Sequence, residues 1–249
     1  MRLSFFVAAA AALAACMPAD GGETRPADAA RGQLGARPAA PAAAGAVEPG
    51  VHRLQAGGAL LYVPKGYRHD RPAPLLVMLH GAGGSAEHSI ALGRAHADRL
   101  GFLLLAPKSK AQSWDIISAR SYGSDVRALD AALREAFAGY AVDAGRIGIG
   151  GFSDGASYAL SIGLINGELF RDVVAFAPGF VAPGAASGRP RIFISHGTRD
   201  RVLPIDACSR RIVPRLESGG YEVDYREFEG GHEVPERIAR EALERFARG

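Results

Sequence analysis

Three residues of this 249-residue chain have the types and the order needed for nucleophilic acyl transfer: Ser153, Asp200 and His232. Ser153 lies in Gly151-Phe152-Ser153-Asp154-Gly155, directly after the apolar run Ile147-Gly148-Ile149-Gly150 and directly before an Ala-rich stretch of helical period. Strand, Gly-x-Ser-x-Gly turn and helix in that succession form a nucleophile elbow, where flanking glycines let backbones approach and the Ser takes strained dihedrals. The pentapeptide alone is a weak sign in a chain with 32 Gly, so the weight rests on its context and partners. A serine hydroxyl attacks a carbonyl only when a base takes its proton and a carboxylate orients that base.

His232, in Phe228-Glu229-Gly230-Gly231-His232-Glu233, follows the last predicted strand and precedes the final helix, and it is the expected base. The other six histidines have plainer readings. His52 and His69 sit among surface-like residues, His88 and His96 ride an amphipathic helix, and His80 and His196 each end a strand in a His-Gly pair. Asp200, in the turn Ser195-His196-Gly197-Thr198-Arg199-Asp200, is placed to fix the imidazole tautomer and stabilise its charged form. Asp206 is the rival carboxylate, read instead as a solvated acid near the positive end of the next helix. A tetrahedral oxyanion needs two preorganised N–H donors. Asp154 is expected to supply one, and the loop His80-Gly81-Ala82-Gly83-Gly84 the other, at Ala82. A phosphate-cradling loop is the alternative reading of those glycines, but no Lys follows them as a Walker motif requires.

Such residues need a scaffold that ends several strands at one edge. From residue 59 onward, short apolar runs alternate with longer segments of helical period, the pattern of βαβ units and a largely parallel buried sheet. Strands are predicted over Ala59–Val63, Leu75–His80, Phe102–Pro107, Arg146–Gly150, Asp172–Ala177, Arg191–Ser195 and Glu222–Phe228. Helices are predicted over Glu87–Leu100, Ser124–Phe137, Asp154–Ile165, Ile205–Ser218 and Val234–Phe246. Chemistry in such a three-layer α/β domain belongs in the loops just after the strands, where the motifs fall.

The core from about Ala59 to Ala247 resembles the phospholipase/carboxylesterase group of α/β-hydrolases, which includes acyl-protein thioesterases and small bacterial carboxylesterases. The resemblance is carried by Leu-His-Gly-x-Gly-Gly at 79–84, Gly-Phe-Ser-x-Gly at 151–155, His-Gly-Thr-x-Asp at 196–200 with Val202 and Pro204 beyond, and Gly-His-Glu at 231–233. It implies an α/β-hydrolase fold, a mostly parallel central sheet with helices on both faces. It also implies hydrolysis of carboxylic esters through an acyl-serine, with no metal or organic cofactor and a small-molecule or exposed ester as partner. Asp154 departs from the pattern, since such enzymes often carry an uncharged residue there. A carboxylate beside the nucleophile would repel anionic substrates, so thioesterase or phospholipase specificity does not carry over directly. Only about a dozen residues, Pro178 to Pro190, separate two predicted strands, which leaves no room for a large cap domain and favours short acyl groups or exposed esters. Trp114, the sole tryptophan, either walls the pocket or simply packs. Rival readings on the same residues are a feruloyl- or polyester-type esterase, an acyl thioesterase, and a tethered binding module without turnover.

The first sixteen residues, MRLSFFVAAAAALAAC, place one Arg before an apolar stretch too short to span a bilayer, then small residues, the layout of a secretory signal. Leu13-Ala14-Ala15-Cys16 resembles the lipobox of bacterial lipoproteins, which implies lipidation at Cys16 and a cell-envelope protein anchored on the periplasmic side of a membrane. A plain secretory signal is the alternative and implies a secreted protein. The expected organisation is a signal over 1–15, a flexible Ala/Pro/Gly tether over 16–50 and a folded domain over 51–249. With Cys16 acylated, Cys208 has no partner, and no internal disulfide is expected. Net charge is +3, and of 29 basic residues three are Lys and the rest scattered Arg, with no cluster of the kind that binds nucleic acid. The residues leave the oligomeric state open.

Overall fold

The computed structural model describes residues 25–38 and 47–249. The expected signal sequence and Cys16 lie outside the described residues. Among those described, eight strands form one sheet: β1 (Gly50–Arg53), β2 (Leu60–Val63), β3 (Ala73–Leu79), β4 (Leu103–Ala106), β5 (Val142–Phe152), β6 (Asp172–Phe176), β7 (Arg191–Gly197) and β8 (Val223–Phe228). The helical segments are α1 (Pro26–Ala29), α2 (Ala86–Leu100), α3 (Asp115–Ser118), α4 (Ser124–Gly139), α5 (Asp154–Ile165), α6 (Ser209–Ser218) and α7 (Glu236–Arg248). Strand order is β1-β2-β4-β3-β5-β6-β7-β8, with β1 and β2 antiparallel to their neighbours and the other six strands parallel.

Alternation of side chains across the sheet makes two cores from one apolar run. Leu75, Val77 and Leu79 of β3 join Ile147, Ile149, Val173 and Ile192 against α4 and α5. Leu76 and Met78, one residue out of phase, join Val174, Phe176 and Phe193 against α2 and α7. Both faces are covered, which is why these strands read as continuous hydrophobic runs. The chain leaves β3 for β4 on one side and returns to β5 on the other, so a topological switch lies at the carboxyl ends of β3 and β5, where a crevice forms in open α/β sheets.

Three sequence expectations are corrected. β1 was not predicted, because Gly50-Val51-His52-Arg53 is a half-exposed edge strand without an apolar run. The helix expected from Ile205 starts at Ser209, after a turn in which the Ala207 and Cys208 N–H groups donate to the Pro204 and Ile205 carbonyls. The flexible tether expected over 16–50 fails over 25–38, which form a strap packed on the domain with Ala29, Leu34 and Ala36 buried. Its composition lacks bulk, but its backbone finds long-range partners. Asn166 at the end of α5 accepts from the Leu34 N–H at 2.8 Å and donates to the Gly32 carbonyl at 2.9 Å. Asp130 of α4, held by Arg134, accepts from the Ala36 N–H at 2.6 Å.

Asn166→Ala leaves both strap groups unpaired where water is excluded, at a cost of ~1–3 kcal/mol. Faster tryptic cleavage after Arg31, with unchanged cleavage elsewhere, is the expected readout; an unchanged rate would mean the strap docks without Asn166.

Candidate active site

The elbow follows from β5 running straight into α5. Ser153 has φ 58° and ψ −121°, a positive φ that a residue with a side chain adopts only when its surroundings enforce it. The Ser153 N–H is anchored to the Phe176 carbonyl at 2.9 Å. Gly155 is what lets α5 start so close to β3, because a Cβ there would lie on the Leu79 carbonyl oxygen and 2.6 Å from that of His80. Gly155→Ala is therefore expected to destabilise the protein by ~3 kcal/mol, or to prevent folding, as overpacking against rigid backbone does. Urea denaturation checks this, and a midpoint within error of the wild type would contradict the packing.

The structure brings Ser153, His232 and Asp200 together from three loops at the carboxyl edge of the sheet. His232 Nε2 is 2.8 Å from Ser153 Oγ and its Nδ1 is 2.6 Å from Asp200 Oδ2. The ring of Phe152 packs on the imidazole at 4.7 Å between centroids. Asp200 Oδ1 accepts from the backbone N–H groups of Val202 and Leu203, each at 2.8 Å. Burial alone would push the Asp200 carboxyl up. The hydrogen bonds from His232 and from the Leu203 and Val202 N–H groups outweigh that and hold it below the usual carboxylate range, so it is ionised at neutral pH. The rival Asp206 is elsewhere, exposed and paired with Arg210 at 2.8 Å.

The loop after β3 passes over the nucleophile, with a Cβ built on Gly81 only 3.3 Å from Ser153 Cβ. His80 holds this loop: its carbonyl accepts from Trp114 Nε1 at 2.9 Å and its Nε2 accepts from the Ser109 N–H at 3.1 Å. Further along, the Gly83 N–H donates to Gln112 and the Gly84 N–H to Gly81. The N–H groups of Ala82 and Asp154 have no acceptor among the described residues, which leaves both available to an incoming oxyanion. Trp114 does not wall the site. It is 1% exposed and stacks on Tyr158 of α5 at 5.0 Å, so it packs.

Sequence reasoning missed two contacts. Ser113 Oγ donates to Asp154 Oδ2 at 2.5 Å, tying back the carboxylate that sits beside the nucleophile. His196, read as an ordinary strand end, places Nε2 3.2 Å from Asp200 Oδ2. The only sequence sign was its position four residues before Asp200. Cys208 is buried and free, and burial pushes its thiol up. A cavity of about 300 Å³ opens beside His232, lined by Leu79, Gly81, Leu92, Phe152 and Val234 and by the polar His80, His88, Ser89 and Glu233. A larger one, about 680 Å³, lies under the strap and shares no residue with this site. Among the described residues no helix is long and apolar enough to cross a membrane.

Comparison with known proteins agrees with this fold. Residues 124–246 match the model of the phospholipase/carboxylesterase family. Probable feruloyl esterase C of Aspergillus flavus is 26% identical over 166 residues, 63% of this chain, and the chain spans only 60% of that relative's length. Among solved structures, esterase PE8 superposes with a TM-score of 0.62 at 21% identity, covering 80% of this chain and 99% of that one. A ferulic acid esterase from Anaeromyces mucronatus, solved with ferulic acid, gives 0.60 at 18% identity over 80% of this chain and 90% of its own. The sheet order, the elbow after β5 and these likenesses make this an α/β-hydrolase fold whose residues 124–246 match the phospholipase/carboxylesterase family.

Proposed function

We propose that this chain is a serine hydrolase that cleaves carboxylic esters through an acyl-Ser153 intermediate. The observation that carries the reading is the continuous hydrogen-bonded line from Ser153 Oγ through His232 to Asp200, with the serine on a strained turn. His232 Nε2 takes the Ser153 proton as Oγ attacks the ester carbonyl, and Asp200 stabilises the imidazolium so formed. The N–H groups of Asp154 and Ala82 receive the oxyanion. The imidazolium then protonates the departing alcohol, and water activated by the same Nε2 releases the acid and restores the serine.

The 300 Å³ cavity beside His232 is at the small end of the ~300–1,000 Å³ typical of ligand pockets, and its lining is mostly apolar. This supports a short or single-ring acyl group. An aryl-acyl ester of the feruloyl type is the second reading, favoured by Phe152 and Leu92 in that lining and by the named activities of the relatives. Intact-mass analysis after exposure to a fluorophosphonate, followed by a panel of acetyl, butyryl, octanoyl and feruloyl esters, tests both. One adduct is expected on the wild type and none on Ser153→Ala. No adduct on folded protein would move a non-catalytic binding role to the front.

The same proposal places the protein in the cell envelope, lipidated at Cys16. Fatty-acid incorporation in the producing cell, lost in Cys16→Ser, is the expected result, and a released, unlabelled wild type would support the secreted alternative.

A further inference from the structure

The buried imidazole of His196 has no part in the proton transfers above, yet both of its ring nitrogens have partners. Its Nδ1 lies 2.7 Å from Ser209 Oγ, and its Nε2 lies 2.8 Å from the Leu203 carbonyl oxygen and 3.2 Å from Asp200 Oδ2. A carbonyl can only accept, so Nε2 carries the proton and Nδ1 accepts from the Ser209 hydroxyl. That Nε2–H donates to the Leu203 carbonyl, and Asp200 Oδ2 stands close to the same nitrogen as an electrostatic neighbour. Two imidazoles therefore converge on one carboxylate oxygen, His232 at 2.6 Å and His196 at 3.2 Å, while the Val202 and Leu203 N–H groups fill the other.

We propose that His196 is a positioning residue for Asp200: its neutral Nε2–H holds Oδ2 aimed at His232 and moderates the pull of the carboxylate on that imidazole. The inference rests on the hydrolase reading. Neutrality matters, because a charged His196 would cancel the negative charge on which His232 depends. Burial pushes His196 down, and the opposing hydrogen bond to Leu203 and attraction of Asp200 do not overcome it. The titratable groups around it are Asp200, His232, Cys208 at the start of α6 and Glu227 in register on β8, whose carboxylate is held low first by Arg210.

His196→Leu keeps bulk and removes the donor. Its kcat is expected to fall ~10–100-fold with KM within about twofold, the scale of a misaimed catalytic group. Its acid limb of kcat/KM should move to higher pH, because an undamped carboxylate holds the imidazolium more firmly. The downfield proton resonance of the His232–Asp200 hydrogen bond, a signal that needs no turnover, should shift. His196→Gln, which restores an N–H near the Nε2 position, should recover most of kcat and return the limb toward the wild type. If the Leu variant does not fold, Ser209→Ala decides: freeing Nδ1 lets the ring reorient, with kcat down roughly fivefold and the same direction of shift. A folded His196→Leu, or failing that Ser209→Ala, with wild-type kcat, acid limb and downfield resonance overturns the proposal. Loss of the hydrolase reading would appear instead as a wild type that labels and hydrolyses nothing, with the resonance still testing the placement of Asp200.

Discussion

Ser153→Ala is expected to lower kcat for ester hydrolysis by ~10⁴-fold or more, since the members of such a triad act as a unit and what survives comes from oxyanion contacts and binding. Stability should change little. The hydroxyl is small, and its one partner, His232 Nε2, keeps access to water in the variant because the imidazole is not fully buried. The strained backbone at φ 58° remains, as it is imposed by the Phe176 carbonyl and by α5 rather than by the hydroxyl. Steady-state kinetics on the best ester of the panel, with thermal melting as control, check this. Retention of even a tenth of the activity would place the nucleophile elsewhere.

Asp200→Asn should cost about as much, ~10⁴-fold, for a different reason. Two backbone N–H groups, those of Val202 and Leu203, need an acceptor at the Oδ1 position, so the amide oxygen must occupy it. The amide NH₂ is then forced to the Oδ2 position, facing Nδ1 of His232. A donor there requires Nδ1 to be the acceptor, which puts the ring proton on Nε2, pointing at Ser153 with no lone pair left to take its proton. The fold should persist, and raising the pH should not restore the rate as it would for a base that is merely protonated. A pH–rate profile extended into the alkaline range distinguishes the two, and near-wild-type turnover by Asp200→Asn would remove Asp200 from the mechanism. Asp200 also stabilises the protein. Because its carboxyl is held below the ordinary value, its contribution is complete above the unfolded-state value of ~3.9 and is lost as pH falls through the lower folded value.

Much of the scaffold was legible because it is written in short windows. The apolar runs of β3, β4, β6 and β7 and the helical stripes of α2, α4 and α7 each announce themselves within about a dozen residues, and the Gly-x-Ser-x-Gly turn sits where one pattern changes into the other. The order Ser153, Asp200, His232, each just past a strand, was readable for the same reason. The edge strand β1 was not, since four alternately exposed residues carry no such pattern. Nor was the strap. An Ala, Pro and Gly composition suggests a chain that cannot order itself, and the bonds that hold it come from Asn166, 132 residues from Leu34, and Asp130, 94 residues from Ala36.

The sequence by itself determined the inner strands, the long helices and the loops that bear the serine, the carboxylate and the imidazole, because periodicity and turn chemistry are local. Tertiary structure alone decided that Trp114 packs on Tyr158 instead of facing substrate, that Ser113 restrains Asp154, and that His196 shares the carboxylate of Asp200 with His232. Those outcomes depend on distances of a few ångströms between segments that only the closing of the sheet brings into register, and no spacing along a chain encodes them.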